Sequence, residues 1–172
     1  KKTTATYSTP TPVRYTPPTK SPVTTPPATY ENLLDFGGKG TGNGLFQDAT
    51  SVAVDSKGRI YVADETLRVQ QFSEKGEFLK VWQIPATTKY YKKARTIQKI
   101  AVDKKDRLYV LVGGVVQMWE QNTIELPEMT YHAAPDFMVD FALRADGGLL
   151  MVSENGENET FIFLAANGKV IV

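Results

Sequence analysis

The sequence has no cysteine, a single histidine, and only three of its ten prolines after residue 30. Without cysteine there is neither a disulfide nor a thiolate metal site, and one histidine cannot assemble the usual zinc centre. No run of 18 apolar residues exists, so no helix is expected to cross a membrane. No Ser-His-Asp set can be put together around His132. Asp64, Glu65, Glu154, Asn155, Glu157, Asn158 and Glu159 supply oxygens, but not at the spacing of a calcium loop. The expectation is a protein without cofactor or metal and without catalytic residues. A net charge of +1 over 172 residues makes no case for nucleic acid.

Acidic residues are also absent from the first thirty positions, which hold ten Thr, seven Pro and four basic residues. Thr9-Pro-Thr-Pro12, Thr16-Pro-Pro18 and Thr25-Pro-Pro27 favour extended polyproline II. Such a segment buries too little apolar surface to fold alone. Residues 1–30 therefore read as a spacer, an O-glycosylated stalk or a strap on a partner, with Tyr7, Tyr15 and Tyr30 as aromatic anchors if it is a strap. Beginning at Lys1 rather than Met, the chain reads as processed or as a segment of something longer, downstream of a removed signal peptide or a membrane helix. Without this tail, 16 basic residues face 19 acidic ones, a net charge of −3, which argues further against RNA.

Beyond the tail the chain is repetitive. Val52 and Val54 alternate with Ser51, Ala53 and Asp55, the period-2 pattern of a half-buried strand. Ser56-Lys57-Gly58 makes a tight turn, Ile60–Ala63 is a buried strand, and Leu67–Phe72 and Phe78–Trp82 are two more around a Glu-Lys-Gly turn. Ala53-Val54-Asp55 recurs 48 residues on as Ala101-Val102-Asp103, and Gly58-Arg59-Ile60-Tyr61-Val62 as Asp106-Arg107-Leu108-Tyr109-Val110. A third copy, 41 residues later, holds Phe141-Ala-Leu143, Gly148–Val152 and Phe161–Leu164, with a closing turn Ala166-Asn-Gly-Lys169. Repeats of about 40 to 50 residues with four strands each are the mark of propeller blades, which bury their faces by stacking on one another. The fold predicted is all-β: three consecutive four-stranded antiparallel blades of a β-propeller after an extended N-terminal tail. Residues 31–172 form the propeller part, with blades at about 46–83, 96–127 and 136–172.

Leu34-Asp-Phe-Gly-Gly-Lys-Gly-Thr-Gly-Asn-Gly-Leu-Phe46, Val52–Asp55, Gly58, Ile60–Asp64, Arg68-Val-Gln70, Phe72 and Gly76-Glu-Phe78 together resemble an NHL repeat over about fifty residues. The second and third copies are degenerate, Asp106 replacing the turn glycine and Arg144 the acidic residue. The resemblance implies half of a six-bladed ring, with a strand at Asn32–Phe36 of the kind that completes a last blade from the N-terminal side. It also implies a bacterial, extracytoplasmic (secreted or surface-tethered) scaffold or sensor placed after a Pro-rich linker. Its partner would be a protein, a larger assembly or another copy completing the ring.

Three further features are candidate binding elements. Gly37–Gly44 looks like a phosphate loop but leads to a strand rather than a helix, so it reads as a blade connection. Lys89, Tyr90, Tyr91, Lys92, Lys93 and Arg95 interleave cations with aromatics, a pattern that grips phosphates, bases or anionic glycans. Ser51, Lys99 and Asp140 share one position on the innermost strands, where Lys99 is the expected partner of Asp140 in an axial channel. Asn158-Glu-Thr160 is a glycosylation sequon. Together these features read as a non-catalytic interaction or sensor module. Its rivals are a piece of an NHL-like metal-dependent hydrolase or lyase, and a structural subunit held by its tail.

Overall fold

A computed structural model describes residues 32–87, 94–123, 127–131, 137–154 and 159–164, and among these residues eleven strands in three antiparallel sheets account for the regular structure. The tail, including Tyr7, Tyr15 and Tyr30, lies outside the described residues, as do Lys89–Lys93, His132 and the expected closing strand after Gly168. The strands belong to one compact unit, Leu33–Val172.

The first blade is a meander of β1 (Ala49–Val54), β2 (Ile60–Asp64), β3 (Arg68–Phe72) and β4 (Phe78–Gln83). The second repeats it with β5 (Ile97–Val102), β6 (Leu108–Val112), β7 (Val115–Trp119) and β8 (Met129–Tyr131). The third shows β9 (Phe137–Leu143), β10 (Leu149–Glu154) and β11 (Glu159–Leu164). These are consecutive blades of a partial β-propeller, and among the described residues there is no helix.

Two apolar layers join them. Tyr61, Ala63, Val69, Trp82 and Ile84 of the first blade pack against Ile97, Ile100, Leu108, Val110, Val112 and Trp119 of the second. The other face of the second blade, through Tyr109, Leu111, Val116 and Met118, meets Met138, Phe141, Leu149, Met151 and Leu164. β6 and β7 are therefore buried on both faces, which is why their sequences are unbroken apolar runs rather than alternations.

β1 alternates as expected of a half-buried strand: Val52 and Val54 are 68% and 61% exposed, and Ala53 is the residue packed on the core. Two sequence expectations need correction. Asn32–Phe36 forms no strand. A lone strand needs a neighbouring ladder to satisfy its amides. The Phe36 ring instead packs on Phe72 at 4.9 Å, beside Phe46 and Phe78. The second blade's last strand, Met129–Tyr131, lies past the boundary of about 127 because the preceding Gln121–Thr123 connection reaches back to the first blade. There Thr123 O accepts from Trp82 Nε1 at 2.9 Å and Gln121 Nε2 donates to Tyr61 OH at 3.0 Å.

The glycine-rich loop is a structural clip. Gly44 N donates to Gln70 Oε1 at 2.8 Å, Gln70 Nε2 donates to Leu45 O at 2.7 Å, and the Arg68 guanidinium reaches the carbonyls of Thr41 and Leu45. The loop also bonds to itself, Gly40 N to Phe46 O at 2.9 Å and Phe46 N to Gly38 O at 2.8 Å, so it reads as a blade connection.

Candidate functional site

The turn joining the first two strands of each blade is built the same way three times. Asp55 N donates to Arg59 O and Gly58 N to Asp55 O, each at 3.1 Å. Asp103, Asp106 and Arg107 repeat this at 2.9–3.1 Å, and Arg144, Gly147 and Gly148 at 2.9–3.0 Å. The turn residue has positive φ in all three: Gly58 at 74°, Asp106 at 62° and Gly147 at 85°. Asp and Gly are the types that tolerate this region.

Inside the first turn, Asp55 accepts from the amides of Lys57 and Arg59, from Arg59 Nε at 2.6 Å and from Tyr61 OH at 3.0 Å. Burial pushes its carboxyl up, but these donors outweigh that and hold it below the ordinary carboxylate range. Burial, with the Asp55 charge, pushes the Tyr61 hydroxyl up to about 12. Asp103 repeats the arrangement with Lys105 N, Arg107 N, Arg107 Nε and Tyr109 OH. In the third blade Arg144 takes the acidic position and pairs with Asp146 at 2.7 Å.

Between the first and second turns the Asp106 carboxylate crosses the junction. Ser56 Oγ donates to it at 3.0 Å, Arg59 Nη2 at 3.0 Å, and Lys57 Nζ lies 3.0 Å away. The Lys57 bond is the leading cause that keeps the Asp106 carboxyl low. The replacement of glycine by aspartate that looks like decay of the repeat is thus a link between blades.

Ser51, Lys99 and Asp140 do occupy one position: each sits at a β-bulge in the first strand of its blade. They are links as well. Ser51 Oγ accepts from Ile100 N of the second blade at 3.1 Å. Lys99 Nζ donates to Phe141 O of the third blade and to Asp140 Oδ1, both at 2.7 Å. Ser51 and Lys99 therefore each reach the residue just after the equivalent position of the next blade. The Lys99 ammonium is the main cause that lowers the Asp140 carboxyl, whose side chain is 58% exposed. Of the basic–aromatic loop, Arg95 is described and exposed; its base is closed by Ala94 N donating to Ala86 O at 2.8 Å.

The second junction holds an open space. A cavity of about 510 Å³ lies between the turns of the second and third blades, lined by Val102, Lys104, Lys105, Arg107, Leu143 and Arg144 among others. Sequence reasoning did not find it, because it comes from two turns 41 residues apart and from a side chain that position 147 lacks. Among the described residues no three His, Asp or Glu side chains converge as metal ligands, and no helix is long and apolar enough to cross a membrane.

No protein-family profile matches the sequence, and no curated protein is similar to it. Similar solved structures include U3-55K (14% identity, TM-score 0.58, 78% of this chain and 40% of that one). Another is a dihydro-heme d1 dehydrogenase, NirN (16%, 0.54, 75% and 28%). A third is BamB from Moraxella catarrhalis (12%, 0.51, 72% and 37%). The chain spans less than half the length of each, and at these identities the likeness is one of fold.

Proposed function

We propose that the chain is a non-catalytic protein-interaction module: NHL-type blades held outside the cytoplasm by a Thr/Pro-rich tether, working as part of a propeller completed by further blades. The observation that carries this reading is a comparison of equivalent positions. Ile100 and Phe141, each on the first strand of its blade, are 3% and 2% exposed because the preceding blade covers them. Val52 is their counterpart in the first blade and is 68% exposed. Val54, two residues on along the same strand, is 61% exposed. A face patterned like a blade-to-blade contact is fitted for another blade. The NHL assignment rests on the first repeat, and the extracytoplasmic tether on the composition of residues 1–30.

Light scattering after gel filtration of the 172-residue chain tests the reading. A dimer whose interface protects a thiol placed by Val52→Cys (the chain has no cysteine of its own) supports completion by a second copy. A monodisperse monomer in which that thiol reacts freely overturns the proposal that Val52 lies in a contact.

A further inference from the structure

The cavity between the second and third turns sits where the first junction holds a carboxylate. The three turns share their backbone hydrogen bonds, so their side chains compare position by position. In the first junction Ser56, Lys57 and Arg59 converge on Asp106. The second blade offers Lys104, Lys105 and Arg107 at the same positions, a more cationic set. The position of Asp106 is taken in the third blade by Gly147, which has no side chain. The acceptor is gone and the donors remain.

The donors show its loss. Arg59 divides its guanidinium between Asp55 and Asp106, with Nη2 on the latter. Arg107 turns both Nε and Nη2 to its own Asp103, each at 2.7 Å. Lys104 and Lys105 are exposed, and among the described residues neither ammonium has a partner. On the facing wall Arg144 is paired to Asp146. Cations outnumber anions four to two around the space, and Val102 and Leu143 add apolar wall.

We infer that this junction is a binding site for a carboxylate carried on an apolar stem, the carboxylate taking the place that Asp106 fills one junction earlier. A volume of about 510 Å³ is in the range of small-ligand pockets and leaves room for the stem beside the apolar residues. The chemistry is that of a free small acid or of the terminal carboxylate of a peptide. The inference goes beyond the reading of the blades as an interaction module and does not depend on it.

Titration calorimetry with hexanoate, with hexanamide as the uncharged control, tests the site. A parallel arm uses a short peptide ending in Ala-Leu with a free or an amidated C-terminus. Gly147→Asp supplies the missing carboxylate from the chain itself at a positive φ (85°), in the region where Asp106 sits at 62°. It is expected to abolish hexanoate binding and to raise the melting temperature. Lys104→Ala with Lys105→Ala, two exposed changes that leave the turn bonds intact, is expected to weaken binding about tenfold or more. Peptide binding tighter than hexanoate by about tenfold, and lost on amidation, identifies a peptide terminus. Comparable binding of the two identifies a small acid. Hexanoate and peptide both failing to bind the native chain, hexanamide binding as well as hexanoate, or Gly147→Asp binding hexanoate unchanged would each overturn the inference.

Discussion

Arg59 Nη2 lies 3.0 Å from Asp106 Oδ2, and through this pair the first blade is tied to the second at the turn end of the sheet. The same guanidinium holds Asp55 of its own blade at 2.6 Å. One cation shared by two mostly buried carboxylates is a stronger link than an exposed ion pair, because little water competes for it.

Removing Asp106 separates charge from backbone strain. Asp106→Gly keeps a residue that accepts positive φ but loses the link, with an expected cost of about 1–2 kcal/mol. Asp106→Ala loses the link and forces a Cβ-bearing apolar residue into left-handed backbone, at about 1 kcal/mol more. Urea unfolding of the two variants checks the order. Equal stabilities would show that the φ of 62° carries no strain.

Acid should loosen the fold in a defined window. The carboxyls of Asp55, Asp64, Asp106 and Asp140 are all held below their ordinary value of 3.8. Burial pushes Asp64 up, but bonds from Thr66, Arg68 and the amides of Gln47 and Thr66 outweigh it. Groups lowered by folding contribute stability that is full above the unfolded-state pKa and is lost as pH falls through the folded one. Stability is therefore expected to be flat from about pH 5 to 7 and to fall below about pH 4. Asp64→Asn should be less stable at pH 7 and show a shallower acid slope, read by thermal melts across that range.

The pair between Lys99 and Asp140 is expected to matter little to stability. Its side chains are 39% and 58% exposed, so water and salt screen it. Asp140→Asn keeps an oxygen able to accept from Lys99 and from Phe141 N, and should cost under about 0.5 kcal/mol. Lys99→Ala also removes the bond to Phe141 O and should cost more. Comparing melts at low and high salt distinguishes the two contributions.

Gly148 is required for space rather than for φ. A Cβ there would sit 2.2 Å from Leu164 O, a backbone atom that cannot move without opening the sheet. Gly148→Ala should cost about 1–3 kcal/mol. The loss should show as faster hydrogen exchange in β10 and β11 than in the first blade.

How much of the fold and site was legible depended on whether the signal was local. Blade repetition was, since Ala53-Val54-Asp55 and Ala101-Val102-Asp103 carry the same turn. The pairing of Lys99 with Asp140 could be read because alignment of the copies puts them on adjacent first strands. The side of β1 that is buried could not be read: period 2 gives two faces, and the one that packs, through Ala53, is chosen by a contact with residues distant in sequence. The role of Asp106 was hidden for a related reason. Against a glycine consensus it reads as decay, and its partners lie about fifty residues away on another sheet.

The bare first blade gives a last prediction, resting on two residues in one register. Ile100 is buried between blades, so Ile100→Ala should cost about 2–5 kcal/mol, the lost transfer energy plus the cavity left behind. Val52 holds the same position but among the described residues has no blade over it, so Val52→Ala should change the unfolding free energy of the isolated chain by less than about 0.5 kcal/mol. Completing the ring should reverse that indifference. In an assembly where a further blade covers β1, Val52→Asp buries an unpaired carboxylate and should abolish association while leaving the isolated chain folded. Circular dichroism reads the folding and light scattering the association. Val52→Asp that unfolds the isolated chain would mean β1 draws stability from its exposed face, and the equivalence with Ile100 would then fail.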